Sequence, residues 1–199
     1  MIARIACARA AGLALTVLAA LTSPPAAAQN SPVASSTAPT PVPAPSRWEV
    51  NESSSPLTHA VSISAALDST RPLINMIGAA ENASLILRCS DRVLVLYVNW
   101  PEVVNRDGEN FAGLPKTLAF WRIDDGKILS NFWTISDTGT AAGEFGTRGA
   151  GKLLATFVHA RQLVVRLSGR MTQDAVFDLT GIATVAPKVA GACGVTFTG

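Results

Sequence analysis

Residues 85–100 are the stretch that most restricts how this chain can fold. Two apolar runs rich in β-branched residues flank the short polar break Ser90-Asp91-Arg92. Runs of this kind, joined by so few residues, are typical of a β-hairpin. Pro101 then ends the second run, because proline cannot donate a hydrogen bond to a strand ladder. We therefore expect a core hairpin with strands at 84–89 and 93–100.

Period-two alternation of apolar and polar residues predicts further strands on both sides of this hairpin. They are expected at 48–52, 60–67, 116–123, 128–136, 162–168 and 175–180. Helical spacing of apolar residues predicts short helices at 151–158 and 182–193. Residues 68–82 are interpreted as a loop with a helical turn, and the glycine-rich residues 143–149 as a turn. The fold class is therefore mainly β: an antiparallel β-sandwich or barrel of about eight strands with one or two short helices.

The first 28 residues have the features of a secretory signal peptide. Arg4 and Arg9 precede the apolar run 10–21, and Ala26-Ala27-Ala28 resembles a signal-peptidase site. The apolar run is shorter than the roughly 20 residues that span a bilayer, so we expect cleavage near Ala28 and no integral membrane span in the mature chain. The mature chain is then periplasmic or secreted.

The segment that follows, residues 29–46, is rich in Pro, Ala and Ser and carries no charged residue. Its composition predicts a disordered linker, which serves either as a spacer or as a plain leader. Residues 47–199 are then expected to form a single β-rich domain of ordinary size.

The charge balance argues against nucleic acid as a partner. The chain has 16 Lys and Arg against 14 Asp and Glu, and two of the arginines, Arg4 and Arg9, lie in the predicted signal peptide. The mature chain is therefore neutral, with both signs interspersed. The basic patch expected of a nucleic-acid-binding protein is not present in this pattern.

Of the three cysteines, only Cys89 and Cys193 follow the predicted signal peptide. An even pair in an exported chain indicates a disulfide, because the compartment is oxidising. A metal site would need further ligands, and the two histidines, His59 and His159, are far apart in sequence. We therefore expect a structural disulfide, no metal and no cofactor.

No catalytic motif is recognisable in the sequence. It contains no G-x-S-x-G, no H-E-x-x-H and no phosphate-binding loop. Asp124 and Asp125 precede Gly126 and are interpreted as turn residues. Two carboxylates brought together by folding would still suffice for glycan hydrolysis, so a carboxylate-based hydrolase stays an alternative.

Aromatic residues cluster on three strands that are expected to be neighbours. Phe120-Trp121 and Phe132-Trp133 are adjacent pairs, so alternation must send one member of each pair to each face of the sheet. One face is core, and the other, if exposed, is an aromatic platform suited to a protein or glycan ligand. The alternative is that a second sheet and helices cover both faces. The possible ligand face is assigned to Tyr97, Trp100, Trp121 and Trp133.

Short segments across the domain, about residues 47–195, occur in an order that resembles the VasI family of type VI secretion-associated proteins. These segments are Trp48, Ser55-Pro56-Leu57, Leu87-Arg88-Cys89, Leu96-Tyr97-Val98-Asn99-Trp100, Trp121-Arg122-Ile123, Trp133-Thr134-Ile135-Ser136, Leu163-Val164-Val165-Arg166, Phe177-Asp178-Leu179-Thr180-Gly181-Ile182 and Ala192-Cys193-Gly194. The resemblance implies an exported accessory protein of Gram-negative bacteria without an enzymatic role.

The function expected from the sequence is therefore that of an exported, non-enzymatic accessory or binding module. Its expected partner is a protein of the envelope or of a secretion system. Two alternatives stay open: a periplasmic inhibitor of a cell-wall-degrading enzyme, and the carboxylate-based cell-wall hydrolase. The oligomeric state does not follow from the sequence.

Overall fold

Alternation of apolar and polar side chains places much of the chain in β-strands. The computed structural model describes residues 47–168 and 172–196. The strands are β1 (Glu49–Ser54), β2 (Val61–Asp68), β3 (Leu73–Ile74), β4 (Ala80–Glu81), β5 (Ser84–Ser90), β6 (Val93–Asn99), β7 (Gly108–Glu109), β8 (Pro115–Ile123), β9 (Leu129–Ile135), β10 (Ala141–Glu144), β11 (Gln162–Leu167) and β12 (Ala175–Asp178). The helices are α1 (Thr147–Phe157) and α2 (Ile182–Ala192).

Ten of the strands form one antiparallel sheet. Its order is β1-β2-β5-β6-β10-β9-β8-β11-β12, with β7 paired to β8, while β3 and β4 pair only with each other. The two end strands, β1 and β12, are not paired with each other in the described residues. The sheet therefore does not close into a barrel. The predicted mainly β, antiparallel fold with two short helices is confirmed, with more strands than the sequence indicated.

The hairpin predicted around residues 85–100 is confirmed. β5 pairs with β6 from Ser84 opposite Asn99 to Ser90 opposite Val93. Asp91 and Arg92 form the turn, with φ angles of 51° and 62°. Two consecutive left-handed residues are typical of the tight turns whose twist matches that of the flanking strands.

Two interpretations of local structure are wrong. Residues 143–149 are not a turn: Gly143 and Glu144 end β10, and α1 begins at Thr147. β10 has mostly small residues and no apolar alternation, and it is a strand because its backbone pairs with both β6 and β9. Residues 68–82 contain the β3–β4 hairpin instead of a helical turn, because the Asn75 side chain accepts hydrogen bonds from the backbone N–H groups of Ile77 and Ala79.

The core lies on one face of the large sheet, which we call the inner face. α1 packs on β6 and β10 there, and α2 packs on β2 and β5. α1 buries Ala150, Leu154 and Phe157, whose spacing places them on one side of the helix. The strand residues of the inner face that are buried with them include Ile63, Ala65, Leu67, Leu85, Leu87, Leu94, Leu96, Val98, Ala119, Ile135, Leu163, Val165, Ala175 and Phe177.

A disulfide joins Cys89 to Cys193, as predicted. Cys89 lies on the inner face of β5, and Cys193 directly follows α2, with 5.7 Å between the two Cα atoms. The bond closes a loop of 104 residues. It therefore ties α2 to the central hairpin.

The two ends of the sheet differ in how they are covered. At β12, the backbone N–H of Thr70 donates to the carbonyl of Val176 over 2.7 Å, and the Gln173 side chain makes two hydrogen bonds with the backbone of Ile74. At the other end, every residue of β1 is exposed. Within residues 47–168 and 172–196, no helix is long and apolar enough to cross a membrane.

Replacing both disulfide cysteines, Cys89→Ala with Cys193→Ala, should lower the free energy of unfolding by about 2 to 5 kcal/mol, because the unfolded chain regains the freedom of the closed loop. Urea unfolding followed by fluorescence measures the change. A reductant should destabilise the wild-type chain and leave the double variant unaffected. A double variant with the stability of the oxidised wild-type chain would contradict this role for the bond.

Candidate functional site

The adjacent aromatic pairs on β8 and β9 divide between the two faces of the sheet. Trp121 and Trp133 lie on the inner face, 9% and 4% exposed, with their rings stacked at 5.4 Å between centroids. Phe120 and Phe132 point to the opposite side, which we call the outer face, and are 37% and 45% exposed. The prediction that alternation separates each pair is therefore confirmed, and the phenylalanines are the exposed members.

A second aromatic contact lies on the outer face beside these phenylalanines. The rings of Tyr97 on β6 and Phe145, just after β10, stack with 5.4 Å between centroids and 22° between planes. Phe145 is 37% exposed. Phe132 is paired across the β8–β9 ladder with the half-buried Leu118. We call Tyr97, Leu118, Phe120, Phe132 and Phe145 the outer aromatic face.

Gly143 allows β10 to carry its part of this surface. It pairs with Tyr97 on β6 and with Thr134 on β9. A Cβ at this position would clash with the carbonyl oxygen of Leu96 and with the Cα and Cβ of Tyr97. Only glycine lets the two backbones approach so closely, which brings Phe145 alongside the Tyr97 ring.

The ligand face assigned from the sequence is therefore corrected. Tyr97 is half-buried on the outer face, whereas Trp100, Trp121 and Trp133 are buried in the core. Trp100 is only 4% exposed and has the same parity as the inner residues Leu96 and Val98. The indole rings are large apolar groups, which are more stable away from water, and all three are buried in the core.

The ligand face assigned from the sequence does not include Phe120, Phe132 or Phe145, although the sequence contains a signal for Phe120. Phe120 has the same parity on β8 as Lys116 and Arg122. Charged side chains must reach water, so the face that holds them is the solvent face. The neighbouring Trp121 must then point into the core.

The outer face around these aromatic residues is cationic. Arg88 on β5, Lys116 and Arg122 on β8 and Arg166 on β11 all point outward. The outward-facing positions of β5, β6, β8, β9, β10 and β11 contain no Asp or Glu, whereas Glu49 on β1, Asp68 on β2 and Asp178 on β12 lie toward the two ends of the same face. Arg88 and Arg122 make no ion pair or side-chain hydrogen bond with the described residues. Their charges are therefore available to a partner.

Glu144 is the acidic residue of β10, and it points to the inner side, toward the start of α1. Its carboxyl group packs on Gly149, where any Cβ would clash with it. Burial raises the pKa of the Glu144 carboxyl, and the attraction of the Lys116 ammonium partly opposes this change. The folded chain therefore favours the protonated form of this group more than the unfolded chain does.

A small apolar cavity of about 10 Å³ lies in the core, and its lining includes Leu85, Trp121, Trp133, Phe157 and Leu163. This is about the space of one water molecule. A ligand of the size of a sugar or a cofactor does not fit there.

Asp124 and His59, which are candidates for catalysis and for metal binding, both lie in turns. Asp124 accepts hydrogen bonds from the backbone N–H groups of Arg161 and Gln162, at 3.0 and 2.9 Å, and so joins the β8–β9 turn to β11. His59 has a φ of 55° in the turn after β1. In the part of the chain that the structure describes, no group of three or more His, Cys, Asp or Glu side chains is placed to hold a metal ion.

Comparisons with known proteins add little to this geometry. Neither a protein-family model nor a curated protein matches the chain. A crystal structure of invasion associated protein b from Bartonella henselae is similar to it, with a TM-score of 0.39 and 11% identity. The similarity covers 75% of this chain and 95% of that chain. Similarity at this level does not transfer a function.

Replacing Glu144 with Gln should stabilise the protein at neutral pH and have little effect in acid. Because the folded-state pKa of Glu144 is raised, its ionised form costs stability, and this cost appears as the pH rises through that pKa. Thermal unfolding from acid to neutral pH should therefore show a melting-temperature gain for Glu144→Gln that grows with pH. Glu49→Gln, on the exposed strand β1, controls for the change in net charge. A loss of stability at neutral pH for Glu144→Gln would contradict the burial cost.

Proposed function

We propose that this chain is an exported, non-enzymatic binding module of the bacterial envelope, and that its outer aromatic face binds a protein partner. The observation that carries the proposal is the exposure of Phe120, Phe132 and Phe145 together on one side of the sheet. A soluble domain seldom exposes adjoining large apolar side chains unless they contact something.

The composition of the outer aromatic face supports a protein as the ligand. Aromatic residues and arginine are the types that contribute most binding energy at protein interfaces. The Tyr97 and Phe145 rings stack on each other, so part of the surface is ordered before a partner arrives. A surface that is already ordered loses less conformational entropy on binding.

The charge of the outer face indicates the chemistry of that partner. Arg88 and Arg122 have no carboxylate partner among the described residues, and Lys116 and Arg166 lie on the same side of the sheet. Complementary charge speeds association and excludes wrong partners. The partner that fits best is a protein with an acidic surface that also presents apolar side chains.

Export and the compartment of the partner are part of the same proposal. A disulfide persists in the periplasm or outside the cell and is rare in the bacterial cytosol, so the Cys89–Cys193 bond supports export. The predicted signal peptide supports it as well. The order of the short sequence segments resembles the VasI family. This resemblance supports a partner that belongs to the type VI secretion apparatus or to the envelope around it.

Replacing Phe120 and Phe132 together with Ser should weaken partner binding by about a hundredfold, because both are exposed anchors of the outer aromatic face. The mature oxidised chain is immobilised, envelope proteins that it retains are identified by mass spectrometry, and the dissociation constant of the purified partner is measured. The fold should persist, since neither ring belongs to the core.

The matched control is Phe111→Ser with Ile77→Ser, which removes two fully or largely exposed apolar side chains outside the outer aromatic face. This control should bind the partner like the wild-type chain. Equal affinities for the two double variants, or failure of the wild-type chain to retain any acidic envelope protein, would contradict the proposal.

A further inference from the structure

A shallow groove of about 210 Å³ adjoins Phe120 on the outer face, where β8 meets β11. The residues that line it are Phe120, Trp121, Arg122, Ile128, Val164, Arg166 and Asp174. This volume is below the range of cofactor and drug-sized sites, which starts near 300 Å³. The groove fits a single side chain or a molecule of similar size.

The register of the two strands arranges apolar and cationic side chains alternately around the groove. Arg122 on β8 is opposite Val164 on β11, and Phe120 is opposite Arg166. The two arginines therefore occupy diagonal corners, and Phe120 and Val164 occupy the other two. Ile128 is largely exposed and adds apolar surface at the rim. A ligand here meets apolar surface and positive charge at once.

Asp174 binds one of the two arginines of the groove, Arg166, and does not bind the other. It accepts two hydrogen bonds from Arg166, from Nε over 2.7 Å and from Nη2 over 2.9 Å. This paired geometry fixes the Arg166 side chain and uses two of its donors. Arg122 is exposed and makes no such bond with the described residues, so its donors are not used within them. The groove therefore has one engaged and one available guanidinium.

The balance of charge in the groove selects the ligand class. Two arginines and one aspartate leave an excess of one positive charge. A group with one negative charge matches this excess, whereas a doubly charged phosphate would exceed it and would be repelled more strongly by the Asp174 carboxylate. Arginine binds a planar carboxylate through two parallel hydrogen bonds. The best-matched ligand is a carboxylate with an apolar neighbour.

We propose that this groove is the subsite in which an Asp or Glu side chain of the protein partner binds to Arg122, with an adjacent apolar side chain on Phe120 and Val164. This proposal rests on the proposed function, since it describes how the outer aromatic face selects its acidic partner. Arg166, held by Asp174, shapes the groove and adds to its positive potential.

The test uses two probes that differ only in charge, N-acetylleucine and its neutral amide. Each is titrated into the ¹⁵N-labelled mature oxidised protein, and the backbone amide shifts are followed. The acid should shift the amides of residues 120–122 and 164–166, with a dissociation constant of about 1 mM, as expected for so small a ligand. The amide should bind about tenfold more weakly.

Two variants assign the charge recognition to this groove. Arg122→Gln should abolish the difference between the two probes, and Asp174→Asn should strengthen binding of the acid, because it removes the competing carboxylate. The matched control is Arg148→Gln, an exposed arginine of α1 on the other side of the sheet, which should bind both probes like the wild-type chain. Equal binding of acid and amide, or full binding of the acid by Arg122→Gln, would overturn the subsite.

The purified partner separates this proposal from the proposed function. Arg122→Gln should weaken partner binding by at least about tenfold and reduce its dependence on salt. If the Phe120 and Phe132 variant loses the partner but Arg122→Gln does not, the subsite is wrong and the proposed function stands. If the acid probe binds but the phenylalanine variant keeps the partner, the groove is a site for a free carboxylate, which contradicts a protein side chain as its ligand.

Discussion

The disulfide between Cys89 and Cys193 fixes α2 against the inner face of the sheet, where α2 buries Ile182, Ala186, Val189 and Ala190 in the core. The bond joins the inner face of β5 to the end of α2. α1 covers β6 and β10 on the same face. Each helix has 11 residues, and both pack on the inner face of the ten-stranded sheet. The position of the core thus decides which side chains are left for solvent.

The aromatic residues of the outer face contribute little to this core. Trp121 and Trp133 stack within it, while Phe120 and Phe132, their neighbours in sequence, remain in contact with water. Covering a phenylalanine side chain fully is worth about 2 to 3 kcal/mol of apolar transfer free energy. Because Phe120, Phe132 and Phe145 stay partly exposed after folding, only part of that free energy is gained when the chain folds. A partner that covers them gains the rest, and the surrounding cations restrict which partner does so.

The sequence predicts some of these features well because their signals are local. The β5–β6 hairpin follows from two apolar runs around a short turn, and the disulfide follows from the number of cysteines and the expected compartment. β10 has no local signal, because Ala141, Ala142 and Gly143 alternate in neither size nor polarity. It becomes a strand by filling the space between β6 and β9. The start of α1 has no local signal for a related reason: the Thr147 hydroxyl accepts a hydrogen bond from the backbone N–H of Leu94, which is distant in sequence.

The candidate site shows the same limit. Alternation predicts that the two members of each aromatic pair lie on opposite faces of the sheet. It does not predict which member faces water. Lys116 and Arg122 on β8 carry that information through their parity with Phe120. The Tyr97–Phe145 stack and the groove at Arg122 join residues of strands that are distant in sequence, so only the folded chain brings them together.

Site-specific photo-crosslinking in exporting cells tests the outer face as a binding surface most directly, because the chain stays folded and no partner needs to be known beforehand. Benzoylphenylalanine is placed at position 132 on the outer aromatic face and at position 111 in an exposed loop outside it. We expect position 132 to crosslink to one acidic envelope protein and position 111 not to crosslink to it. The same crosslink from both positions, or none from position 132 while position 111 yields one, would contradict this expectation.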